Sequence, residues 1–147
     1  MNKLKLILFL FLICCKTNVE KTEIREPVYQ DCFSKEERSG AISSILKHQK
    51  FQFFLHPEVK GRLPIKLLKS DFISADMDLT INGKRVILKS NIDEESSTVN
   101  IRIDSLDCDL KKFNFYLYYP IEGAVITGTS QLIDEKWIIK IIRSGEM

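Results

Sequence analysis

The side chains able to do chemistry in this 147-residue chain are few, and they do not converge on a familiar reaction. His48 and His56 are too far apart along the chain, across a predicted helix end, to share a metal. His48 reads as a solvated helix residue and His56 as part of a turn with Pro57. Acids gather at Asp104, Asp107 and Asp109 and again at Asp93, Glu94 and Glu95. Calcium needs several oxygens converging from one shaped loop, and the EF-hand spacing with its central glycine is missing. Both clusters therefore read as solvated turn acids. Ser43 and Ser44 have neither a nucleophile elbow nor an oxyanion-hole motif. No pair of carboxylates is placed for acid–base work, and there is no H-E-x-x-H, P-loop, G-x-G-x-x-G or C-x-x-C. No catalytic residue, metal or cofactor is expected. What remains is thiols and aromatic rings. Tyr116, Tyr118 and Trp137 fall on neighbouring predicted strands. On a concave sheet they would line a small-ligand pocket or a protein-binding patch. Burial in the core is the competing reading.

The thiols divide by position. Lys3 and Lys5 precede an apolar run from Leu6 to Ile13, which is the pattern of an export signal. The run is too short to span a bilayer, which takes about 20 apolar residues. It ends Leu12-Ile13-Cys14-Cys15, which resembles the lipobox of bacterial lipoproteins. The resemblance implies that Cys15 carries the lipid, with Cys14 as the small residue before it. The lipobox usually has Ala, Gly or Ser there, and lipidation of Cys14 would place bulky Ile13 in that position. Acyl chains such as palmitate would then hold the chain on a membrane, since two or more chains anchor stably where one is reversible. An ordinary cleaved signal, or a buried strand rich in Leu and Phe, is the alternative.

Cleavage before Cys15 removes 14 residues and leaves 133. Lys3 and Lys5 leave with them, so the net charge falls from +2 to zero. Nucleic acid, which demands a cationic excess, is not an expected partner. The membrane is one, through the lipid, and a protein partner is the other. The acids that sometimes follow a lipidated cysteine as a surface-export signal are missing from Lys16-Thr17-Asn18-Val19, which favours a periplasm-facing position in the bacterial envelope. Cys32 and Cys108 remain. The compartment permits disulfides, and two cysteines allow one internal pairing, which would contribute about 4 kcal/mol by chain entropy. Two separate buried thiols are the alternative, and spacing alone does not choose.

The elements that must position these residues follow from periodicity. Residues 1–14 form the signal, 15–30 a polar tether reaching about 20 Å, and 31–147 one domain. Ser34 and Glu37 match a capping box opening a helix to about Lys50. Its face carries Ala41, Ile42, Ile45, Leu46 and Gln49, while Lys35, Glu36, Arg38, Ser43 and Lys47 lie elsewhere. Gly40 costs that helix about 1 kcal/mol. Phe51, Phe53, Phe54 and Leu55 should fill the space between helix and sheet. Strands are predicted at Leu63–Leu68, on both sides of Asn82-Gly83, at Val99–Ile103, Phe113–Tyr119, Ala124–Ile133 and Trp137–Ile142, the last three as an antiparallel meander. Asn-Gly is the strongest of the turn signals.

The fold class is α+β: one N-terminal helix packed on a curved antiparallel sheet of five to six strands. The late strands are apolar on both faces, so the sheet must bend or be covered twice, as in cystatin-like or NTF2-like cones. Pro57, Gly61-Arg62-Leu63-Pro64, Tyr119-Pro120-Ile121-Glu122-Gly123 and Lys136-Trp137 resemble segments of small bacterial lipoproteins of uncharacterised function. That resemblance implies an α+β envelope domain and carries over no activity. The expected function is a lipid-anchored, non-catalytic binding or structural module. The alternatives are an inhibitor or immunity-type lipoprotein that blocks a toxin or protease, and a small enzyme with an NTF2-like pocket.

Overall fold

The computed structural model describes residues 32–91 and 97–147. The signal, the tether, Cys14, Cys15 and the acids Asp93, Glu94 and Glu95 lie outside the described residues. Among the described residues the domain is α+β, with two helices, a mixed six-stranded sheet and a separate two-stranded ribbon.

Helix α1 (Lys35–Lys47) begins where its capping box says it should. Ser34 Oγ accepts from the Glu37 amide, and Glu37 returns a carboxylate oxygen to the Ser34 amide. The helix stops at His48, whose backbone is extended, and restarts as α2 (Gln49–Leu55), with His48 Nδ1 accepting from the Lys50 amide. One predicted helix is therefore two. The break turns Gln49 out of the buried stripe and into solvent, and it leaves Phe53 66% exposed rather than in the core. Arg38 departs the other way. It is only 7% exposed, because it stands four residues before Ile42 and shares its face.

The strands are β1 (Lys66–Leu68), β2 (Thr80–Ile81), β3 (Lys84–Arg85), β4 (Ile87–Lys89), β5 (Thr98–Asp107), β6 (Lys112–Tyr119), β7 (Ala124–Ile133) and β8 (Lys136–Glu146). The main sheet runs β4-β1-β5-β6-β7-β8. Strands β5 to β8 form the antiparallel meander. Strand β1 pairs parallel with both β4 and β5, so the sheet is mixed, not wholly antiparallel. A three-residue strand is too short for alternation to reveal its direction, and residues 69–86 between β1 and β4 leave room for the crossover that parallel neighbours need. Asn82 and Gly83 both have positive φ, as a tight hairpin turn requires, but they join β2 to β3 in the small ribbon, outside the main sheet.

Both helices pack on the face carrying Phe113, Phe115, Leu117 and Tyr119, where Phe51 meets Tyr119 and Phe33 meets Phe113 edge-on. Ala124, Ile126 and Ser130 continue that buried face along β7. The opposite face carries Arg102, Asn114, Tyr116, Tyr118, Thr127 and Thr129. Two bulges bend the sheet, one in β5 at Asp104 and one in β8 at Ile142. Along β8 apolar residues occupy both faces in strict alternation up to that bulge. Trp137, Ile139 and Ile141 turn inward, while Ile138 and Ile142 stay 51% and 67% exposed.

Candidate binding site along strand β5

Of the three aromatic residues singled out in the sequence, the structure brings two together. Tyr116 and Tyr118 sit half-buried on the outer face, opposite Arg102 and Asn100 of β5. Trp137 is on the inner face. Its ring lies 5.8 Å from that of Phe33 and 5.7 Å from that of Phe113. Gly40 gives it room, since a Cβ there would stand 3.1 Å from the indole. A glycine that costs helix propensity is thus the seat of the tryptophan. Trp137 is partly buried against the core, on the face opposite Tyr116 and Tyr118.

The site forms where β1 and β5 part. They pair only at Lys66 with Thr98 and Leu67 with Val99. The chain then leaves the sheet at Lys69 and folds into a tight turn, in which Ser70 and Ile73 exchange backbone hydrogen bonds and Ser70 Oγ accepts from the Ile73 amide. Arg38 holds this turn from below by donating to the carbonyls of Asp71 and Phe72, each at 3.3 Å. A buried cation needs such partners, and here they fix one wall of an open groove of about 280 Å³. Asn100, Arg102, Ile103 and Tyr116 form the other side. Arg102 lies 5.0 Å from the centre of the Tyr116 ring, and its Nε donates to Asp104 at 2.6 Å. That hydrogen bond first, then the carboxylate charge, raises the guanidinium pKa further. A second hollow of about 200 Å³ opens farther along β5 beside Leu106.

The groove offers hydrogen-bonding groups, a flat aromatic surface and apolar walls, but no nucleophile beside a base. Among the described residues, no group of three His, Cys, Asp or Glu side chains is placed to hold a metal ion. Asp104 pairs with Arg102, and Asp107 accepts from the Leu110 amide in the β5–β6 turn. Neither histidine faces the groove. Burial and then Lys50 lower the pKa of His48, which keeps its Nδ1 free to cap α2, and His56 ends α2 in a left-handed conformation beside Glu58.

Cys32 and Cys108 are joined as a disulfide, with their Cα atoms 5.0 Å apart. Lys111 reinforces the junction. Its ammonium donates to the Cys32 carbonyl and to Glu37, and lies 5.2 Å from the centre of the Phe33 ring. Burial pulls the Glu37 carboxyl upward, but the Ser34 amide and Lys111 outweigh it and hold it below its ordinary value. At the other end of the sheet, two segments read in the sequence as structural meet in space. Arg62 donates to Tyr119 Oη at 3.2 Å and to Glu122, and Gly123 closes the Pro120–Glu122 turn at positive φ.

No family model, curated protein or solved structure matches this chain.

The sequence missed Arg38 as a site residue because a charge on an exposed-looking helix position reads as solvated. Its helical spacing from Ile42 and Ile45 was the available signal.

Proposed function

We propose that the chain is a lipid-anchored protein of the bacterial envelope, periplasm-facing, whose domain is a non-catalytic binding module. The observation that carries the binding role is the groove beside β5, with a wall pinned by a buried arginine and a side set by Arg102 on Tyr116. A rigid wall reduces the ordering cost of binding. The anchor rests on the order of basic residues, apolar run and Cys15 in the sequence. No helix among the described residues is long and apolar enough to cross a membrane; the membrane contact proposed, on the sequence alone, is lipid on Cys15. A cystatin-like or NTF2-like likeness would rest on the β5–β8 meander with α1 laid across it.

An inhibitor or immunity-type role draws on a different observation, the exposed Ile138 and Ile142 on the outer face of β8. A small enzyme has less support, since the groove is open and gathers no convergent ionisable pair.

Fractionation of bacteria making the full chain tests the anchor. The wild type should sediment with membranes and incorporate labelled palmitate, and Cys15→Ala should do neither. Recovery of Cys15→Ala in the membrane fraction at the wild-type level overturns the anchor. Loss of label in Cys14→Ala alone moves the attachment to Cys14.

A further inference from the structure

We propose that the open edge of β5 receives an extended peptide strand from a partner protein, which continues the sheet where β1 leaves it. This inference rests on the binding-module reading and names its ligand class. Beyond Val99, β5 has no strand on its β1 flank among the described residues. No backbone hydrogen bond from the neighbouring turn reaches it there. A row of unpaired amides and carbonyls inside a sheet is matched best by another extended backbone, and strand addition is a known mode of peptide recognition.

The side chains beside that edge point to the same ligand. Ile103 and Leu106 belong to the core-facing row of β5, yet both are only half-buried, whereas Ile101 in the same row is 1% exposed. An added strand would lay every second side chain over them. The first hollow lies along this edge at Asn100–Ile103, between β5 and the turn at Lys69–Phe72, whereas the second is shared by Ser105–Asp107 and Lys112–Asn114 of β6 and does not mark the edge. Charges along the edge are mixed, with Lys69 and Asp71 on the turn and Arg102 bonded to Asp104 on the strand. The favoured peptide is therefore near neutral, with apolar residues at alternate positions.

Hydrogen exchange read by nuclear magnetic resonance tests this on the disulfide-bonded chain. The probe is a library of peptides about eight residues long, apolar at alternate positions. A bound member should slow exchange at amides within Asn100–Asp107 by tenfold or more, on the order expected when an exposed amide joins a ladder. Ile103→Lys together with Leu106→Lys should weaken that peptide about tenfold or more, since charge on an edge opposes pairing. Binding that shifts Tyr116 and Tyr118 without protecting the β5 amides overturns strand addition and leaves the binding module standing. Absence of any member binding more tightly than about 1 mM overturns strand addition and leaves the binding module to ligands other than peptides. Protection that rises with protein concentration and no peptide would assign the edge to a second copy of the chain and overturn the partner strand.

Discussion

Among the strand flanks left unpaired by the described residues, those of β5 and β8 are built on opposite plans. The outer flank of β8 runs for 11 residues. It carries Lys136, Lys140 and Arg143 at exposed positions and is broken by the bulge at Ile142. Lysines and bulges are what natural sheets use to stop edge-to-edge pairing. The flank of β5 is shorter, lies inside the sheet rather than at its margin, and is sheltered by the Ser70–Ile73 turn. Its charge is internally paired through Arg102 and Asp104. One flank is defended against strands in general, and the other is left open behind a fixed wall. The difference teaches that exposure of backbone alone does not mark a docking site. Both flanks carry a bulge, at Asp104 and at Ile142, so what marks the β5 flank is exposure without an unpaired cation on the strand itself, next to half-covered apolar side chains.

Three variants sharpen or break that comparison. The largest effect belongs to the support of β8. Trp137→Ala removes an indole packed on Gly40, Phe33 and Phe113 and should lower the unfolding free energy by about 3 kcal/mol, read from urea denaturation. A loss below about 1 kcal/mol would mean that β8 is held by its ladder alone. Next comes the wall of the β5 groove. Arg38→Ala strips the Asp71 and Phe72 carbonyls of their donor and should cost about 2 kcal/mol. Faster exchange at the Ile73 amide, with little change in β7, would localise the damage to the turn. The smallest effect on stability should come from Lys136→Val with Lys140→Val, within about 0.5 kcal/mol in the monomer. The same pair should make the chain self-associate as its concentration rises, measured by sedimentation. A chain that stays monomeric would show that lysine does not guard the β8 flank.

Much of this molecule was legible residue by residue. Ser34 and Glu37 announced α1, the alternation of Phe113, Phe115 and Leu117 announced β6, and Asn82-Gly83 announced a hairpin. These are local signals, carried by neighbours a few residues apart. What escaped is set by tertiary packing. Gly40 makes sense only once Trp137 is in place, and the parallel pairing of β1 depends on strands distant in the chain. The β8 bulge was half-visible, since Ile141 and Ile142 side by side break the alternation that begins at Trp137. The groove was not visible, because Arg38, the Ser70–Ile73 turn and β5 are joined only by the fold. Tyr116 and Tyr118 were found from their outward phase, but that phase could not separate them from Trp137.

The link between Cys32 and Cys108, with Lys111 clasping the Cys32 carbonyl and Glu37, has a mechanical reading. Tension applied to the chain ahead of Cys32 does not first unwind α1. It crosses the sulfur bridge into the β5–β6 turn and is shared there by the long ladders of the meander. The load path thus bypasses the helix and enters the stiffest part of the sheet, at the far end of the strand whose flank stands open.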